Sequence, residues 1–180
     1  LLNQSKQLSV DYQNADGTFT SYSYGSVSSS VQWGMAVGDV DNDGHKDFVS
    51  GGNGDGVHFV EISSRGVYTA ATSLNNGTMF MQGMNMMDIN NDGDLDVFGC
   101  HDNAAPRIWL NNGSGSLSYN DYINFATNPV SDMSGNYGST WSDFDNDGDI
   151  DLYITHCRQG VNDPNDPRRS TRPSANTGSN

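Results

Sequence analysis

The sequence predicts an all-β fold built from repeated four-stranded units. Three observations carry this. A nine-residue acidic loop occurs three times, as Asp39-Val40-Asp41-Asn42-Asp43-Gly44-His45-Lys46-Asp47, Asp88-Ile89-Asn90-Asn91-Asp92-Gly93-Asp94-Leu95-Asp96 and Asp143-Phe144-Asp145-Asn146-Asp147-Gly148-Asp149-Ile150-Asp151. A glycine turn recurs beside it, with Gly17, Gly66 and Gly115 each 49 residues apart. The flanks of every loop are short stretches of strand length and composition bounded by Gly, Asn, Asp and Ser. The loops begin 49 and 55 residues apart, and a period of about 50 belongs to repeat architectures, β-propellers among them.

Each repeat reads as four strands. The first leads into the acidic loop, over residues 31–40, 79–89 and 137–144. A glycine precedes each loop by five residues (Gly34, Gly83, Gly138), where close packing at a crowded axis is expected. The second strand leaves the loop over 47–50, 96–100 and 151–155. The third covers 57–62 or 107–110, and the fourth 67–73 or 117–123, with the glycine turn between them. Strands three and four of a preceding unit are expected at 7–13 and 18–24. The expected fold is therefore β-propeller-like, with two full four-stranded blades and a half-blade at each end. Its segments are 1–24 (arm and half-blade), 25–74 and 75–125 (blades), 126–157 (half-blade) and 158–180. The last is rich in Pro, Ser and Asn and reads as a long loop or extended tail. A first residue other than Met, Leu1, is expected of a processed or partial chain.

The loops carry the chemistry. Oxygen side chains stand at positions 1, 3, 5 and 9: Asp39, Asp41, Asp43 and Asp47; Asp88, Asn90, Asp92 and Asp96; Asp143, Asp145, Asp147 and Asp151. At this density they repel one another unless a cation lies among them, and hard oxygen ligands suit Ca²⁺. Glycine at position 6 allows the sharp turn that returns position 9 to the ion. The backbone carbonyl of position 7 (His45, Asp94, Asp149) is the expected main-chain ligand. An EF-hand needs a Glu at position 12 and flanking helices; here that position holds Ser50, Gly99 and Ile154, and the flanks read as strands.

Net charge is −14, with 22 acidic against 8 basic residues. Eleven of those acids are the aspartates at loop positions 1, 3, 5 and 9, and three Ca²⁺ would cancel six of the fourteen negative charges. The lack of a basic patch argues against nucleic acid as a partner, and no apolar run is long enough for a membrane-spanning helix. Modest-affinity loops fill where calcium is millimolar, so an extracellular or cell-surface setting is expected. Three Asn-X-Ser/Thr sequons, at Asn3, Asn76 and Asn112, suit that setting. The Met-rich stretch 79–87 is expected to pack in the core rather than bind a cofactor. Trp33, Trp109 and Trp141 are expected to pack between sheets, with a sugar-stacking platform as the other reading. Cys100 and Cys157 follow Asp96 and Asp151 at even offsets, which leaves a disulfide and two buried thiols both open. Zinc held by Cys100, His101, His156 and Cys157 is disfavoured, because neighbouring strand residues point to opposite faces.

The loops, the preceding glycine and the Asn14–Phe19 turn (Asn-x-x-Gly-x-aromatic) resemble the FG-GAP/VCBS repeat family. These are calcium-binding propeller blades of integrin α-chains, some fungal lectins and secreted cartilage acidic protein-like members. Residues 158–169 are similar to an insertion in the last group. The resemblance implies that the twelve loop side chains are metal ligands, with Asn90 a departure that removes one charge. Family propellers usually have more blades than three, so the chain is expected to be a fragment or to be completed by other copies.

Alternating strand directions put the acidic loops and glycine turns on one face. The 2–3 loops (51–56, 101–106, 158–169) and 4–1 loops (25–30, 74–78, 126–135) lie on the other. Those vary in length, and variable loops on a fixed scaffold are where binding resides. No Ser/His/Asp arrangement, phosphate loop or isolated carboxylate pair stands out, so the chain is not expected to be an enzyme. The expected function is an extracellular calcium-binding propeller-type module with a structural or adhesive role, binding protein or glycan on that face. The alternatives are a protomer of a head-to-tail fibre or surface assembly, in which 7–24 completes 137–157 of the next copy, and a lectin-like or non-catalytic part of a larger secreted enzyme.

Overall fold

A computed structural model describes residues 7–123, 135–156 and 174–176. All regular structure among them is β, and every strand pairing is antiparallel. Among the described residues no helix is long and apolar enough to cross a membrane.

Strands β1 (Gln7–Gln13) and β2 (Phe19–Ser26) form a two-stranded sheet. Their turn closes through Gly17 N to Asn14 O at 3.0 Å. The next unit contains β3 (Gln32–Gly38), β4 (Asp47–Gly52), β5 (Val57–Val60), β6 (Ile62–Ser64), β7 (Val67–Tyr68) and β8 (Thr72–Ser73). Its four-stranded sheet runs β3-β4-β5-β8, and β6-β7 is a separate hairpin. The second four-stranded sheet runs in plain order through β9 (Met81–Met87), β10 (Asp96–His101), β11 (Arg107–Asn111) and β12 (Leu117–Asn120). The third has β13 (Asn136–Ser142), β14 (Asp151–His156) and β15 (Ser174–Asn176).

Two features depart from expectation. The fourth strand of the first full unit, expected as one run over 67–73, is split into β7 and β8. β6 and β7 pair around Gly66 with a register shift between Ile62 and Ser64, and regular pairing lapses after the Thr69 N–Glu61 O bond before β8 rejoins β5 at Phe59 and His58. The tail read as loop supplies β15, which pairs along β14 at Leu152, Tyr153 and Ile154.

The sheets stand face to face, and the core lies between them. Leu8, Tyr24, Val27, Phe48, Val60 and Ile62 join β1–β2 to the first four-stranded sheet. Val49, Val57, Met79, Met81, Met84, Val97 and Trp109 join the two four-stranded sheets. Ile89, Phe98, Cys100, Ile108, Leu152 and Ile154 join the second to the third. The methionines of residues 79–87 pack in the core, as expected: Met81 and Met84 fill the space over Gly51 and Gly99. Their unbranched side chains suit such irregular gaps.

The inner strands β3, β9 and β13 pack against one another in sequence, and the pre-loop glycines make this possible. A Cβ on Gly34 would stand 3.0 Å from the carbonyl carbon of Gly83, and one on Gly83 would stand 2.6 Å from Tyr137 O. At Gly138 the nearest atom is the rotatable Thr155 Oγ1, at 3.3 Å. Gly83→Ala is therefore expected to cost about 1–3 kcal/mol as an overpacking change, and Gly138→Ala much less. Denaturant unfolding of the two variants checks this.

Candidate metal centre

The three loops share one backbone. The fourth residue of each, Asn42, Asn91 and Asn146, is left-handed with φ of 61, 59 and 62°. Asn tolerates that region better than other side chains. The glycine at position 6 has φ of 91, 94 and 97° in Gly44, Gly93 and Gly148, where a Cβ would be strained.

The first carboxylate caps the turn. Asp39, Asp88 and Asp143 each accept the N–H of the position-6 glycine through Oδ2, at 3.1, 2.8 and 3.0 Å. Position 5 accepts the N–H of position 7: His45 to Asp43 at 2.7 Å, Asp94 to Asp92 at 3.0 Å and Asp149 to Asp147 at 3.0 Å. The ninth carboxylate closes the loop. Asp47 Oδ2 accepts Val40 N at 2.8 Å, Asp96 Oδ2 accepts Ile89 N at 2.9 Å and Asp151 Oδ2 accepts Phe144 N at 2.8 Å. Asp47 and Asp96 are fully buried and take a second N–H through Oδ1, from Ile62 and Asn111.

This geometry gathers negative charge. Carboxylate oxygens of Asp39, Asp41 and Asp47 lie within 4.8 Å of one another, as do those of Asp143, Asp145 and Asp151. Asp39 Oδ1 is buried without a hydrogen-bond partner. Burial raises the Asp47 carboxyl, the backbone N–H groups oppose that, and Asp41 and Asp43 raise it further. The one ion pair among the described residues, His58 with Asp55, is elsewhere. An unsatisfied buried oxygen and converging carboxylates without a basic partner fit a hard cation with several oxygen ligands. Asp39, Asp41 and Asp47 would hold it in the first loop, and Asp143, Asp145 and Asp151 in the third.

The second loop differs. It has Asn90 where the others have Asp41 and Asp145, so it forms no carboxylate triad. Asn90 Nδ2 donates to Asp92 Oδ2 at 2.8 Å, and Asp92 Oδ1 already accepts Asp94 N. Both oxygens of Asp92 are thus engaged within the loop. Asp96 is raised by burial, with Asp92 and Asp88 adding to it.

One residue at this end of the sheets was not anticipated. Asn111, buried at the end of β11, donates Nδ2 to Val40 O at 2.7 Å in the first loop and to Leu95 O at 3.2 Å in the second. Its Oδ1 accepts Gly113 N and Gly115 N at 3.1 and 3.2 Å. Asn42 Nδ2 adds a bond to Asp94 Oδ1 at 3.2 Å. A Cβ on Gly115 would stand 2.9 Å from Asp41 Cβ, so the turn of one unit lies on the acidic loop of the unit before. The recurring Gly turn was the only trace of this in the sequence.

Cys100 and His101 are structural. Cys100 is a buried free thiol, pushed up to about 12 by burial. His101 is buried, with Nδ1 accepting Asn103 N at 3.3 Å and Nε2 against Thr78 O at 3.1 Å. Both ring nitrogens face backbone partners, which leaves neither for zinc. Cys157 and the His156 side chain lie outside the described residues, as does the sequon at Asn3.

Residues 88–154 match the family model of the FG-GAP-like repeat. That stretch is an FG-GAP-like repeat. It spans the second and third acidic loops and the strands between them. Among solved structures, a lectin of Agrocybe aegerita, described by its specific recognition of non-reducing terminal N-acetylglucosamine, is similar to the chain with a TM-score of 0.60 at 21% identity. The similarity covers 83% of this chain and 41% of the lectin, so the chain spans less than half of that protein's length. The likeness is one of fold. No curated protein matches the sequence.

Two substitutions separate the roles of this centre. Asp41→Asn is expected to leave the chelated protein no less stable while shrinking its stabilisation by calcium. Asn111→Ala strands buried N–H and C=O groups at about 1–3 kcal/mol each, so it is expected to lower the melting temperature with and without calcium. Thermal melts of both variants in calcium and in chelator check the distinction.

Proposed function

We propose that this chain is a calcium-stabilised binding module of a secreted or cell-surface protein, without catalytic activity of its own. The observation that carries the reading is the convergence of Asp39, Asp41 and Asp47 around a buried, unpartnered carboxylate oxygen. Calcium there would neutralise the repulsion, pin the first loop to the turn of the following unit, and so fix the sheets against each other. Asp143, Asp145 and Asp151 give a second such place. The second loop, partly neutralised by Asn90, would bind calcium more weakly.

The ligand face is the opposite end, where loops of adjacent strands are cross-tied without metal. Asp55 binds Ser28 Oγ at 2.6 Å, Ser29 N at 2.6 Å and Ser30 Oγ at 2.8 Å. Burial opposes its charge, but these bonds outweigh burial and hold the carboxyl well below the usual range. Asn75 accepts Val57 N at 2.7 Å and donates to Asp55 O. These bonds pre-order the 2–3 and 4–1 loops of the first full unit. Protein and glycan are the ligand classes, and the fold likeness to a lectin favours glycan. Head-to-tail completion is less favoured, because β15 pairs along the β14 edge it requires.

Calcium removal tests the reading. Stability is expected to rise with free Ca²⁺ by about 2.7 kcal/mol at a hundredfold excess over Kd, read as a higher melting temperature. The same melting temperature in calcium and in chelator would show that the loops are turns only.

A further inference from the structure

Packing uses two of the three tryptophans. Trp109 is buried and donates Nε1 to Leu74 O at 2.7 Å. Trp141 is half-buried, edge-on to Phe98 at 5.1 Å between centroids. Trp33 instead keeps 47% of its surface in water and lies against Phe80, with ring centroids 5.3 Å apart and planes inclined by 38°. The pair joins two units: Trp33 is near the start of β3, and Phe80 is one residue before β9.

Both rings are held in place. The register of β3 against β4 shifts between Gln32 and Gly34, so Trp33 is the extra residue of a bulge, a device that re-aims a side chain. The segment before it is fixed by the Asp55 bonds to Ser28, Ser29 and Ser30. Phe80 forms an isolated bridge with Asn53, has its N–H 3.3 Å from His101 Nε2 and accepts Asp102 N at 2.8 Å. The loop at residues 51–56 and the loop at residues 101–106 thus meet at this aromatic pair. Those two loops carry two exposed amides, Asn53 and Asn103, and the half-buried carboxylate of Asp102, and Asn53 and Asp102 are tied to Phe80 through the backbone. These three side chains are without a hydrogen bond among the described residues.

An exposed aromatic face, electron-rich at its centre, with unengaged amides and a carboxylate at its rim, matches the two sides of a pyranose ring: a C–H face to stack and hydroxyls to pair. A net charge of −14 opposes anionic ligands such as nucleotides or sulfated and sialylated glycans. We propose that Trp33 and Phe80 form the stacking platform of a subsite for a neutral pyranose, with Asn53, Asp102 and Asn103 supplying its hydrogen bonds. This rests on the binding-module reading above and assigns that function a place, a ligand class and residues.

The test uses the full chain in calcium, with fluorotryptophan labels and ¹⁹F spectra recorded during titration with chitotriose, maltotriose, 3′-sialyllactose and a proline-rich peptide. The expected result is that a neutral trisaccharide shifts the Trp33 resonance and leaves Trp109 unmoved. Trp33→Ala should weaken binding about tenfold, the scale of one aromatic stack, while Trp33→Phe keeps most of it. Asn53→Ala should weaken binding with the platform intact. Trp33 unmoved by every saccharide at millimolar concentration overturns the proposal, as does a shift by the peptide alone. Saccharide binding that survives Trp33→Ala also overturns it, while leaving a glycan-binding module standing. Melting in calcium and in chelator, read on the same samples, reports separately on the module itself.

Discussion

Everything at the acidic end of this molecule depends on the ninth carboxylate of each loop, fully buried in the first two and half-buried in the third. Asp47 and Asp96 sit at zero exposure, each bonded to a loop N–H on one side and a strand N–H on the other. They close the loop and fasten the third strand at once. The cost is electrostatic: burial disfavours the charged form, and the neighbouring loop aspartates add to that. Hydrogen bonds from N–H groups offset part of it, and a divalent cation would offset the rest. A metal there would thus be a consequence of how the strands are joined, because the same side chain would serve the fold and face the ion.

Coupling between units follows from the same place. Asn111 reaches from one unit to Val40 O of the loop before, and Asn42 reaches forward to Asp94. The glycine contacts between β3 and β9, and between β9 and β13, bring the strands close enough for these bonds to form. An ion ordering the first loop would therefore steady the joint between two sheets as well as its own turn. The strands β3 and β4 run from that loop to the loops at the opposite end, where the Asp55 and Asn75 bonds take over. Each end of the sheets then has its own means of order, the acidic one open to a metal, the other held by hydrogen bonds alone.

What could be read from the sequence was whatever repeats. The 1-3-5-9 oxygen pattern, the glycine five residues before it and the glycine turn are local and periodic, so the loops and the order of the strands around them were visible. What escaped depends on contacts between units. Nothing near Asn111 marks it, because its partners lie in two other loops and the matching position of the previous unit is Ile62, which contributes only its N–H. The break between β7 and β8 goes with an irregular register between β6 and β7, which composition does not mark. β15 lies in a segment whose composition reads as a tail. The tryptophans were indistinguishable by sequence, since a one-residue bulge, not hydropathy, turned Trp33 outward while Trp109 went in. Asn at loop position 4 was legible but unused: its left-handed backbone in all three loops was a signal beside the glycine.

The most direct measurement is a calcium titration of the intact chain by isothermal calorimetry, repeated on Asp41→Asn and Asp145→Asn. Two tight sites are predicted, one lost with each substitution, together with a weaker third belonging to the second loop. A chain that takes up no calcium at millimolar concentration, or whose tight sites survive both substitutions, would contradict the account.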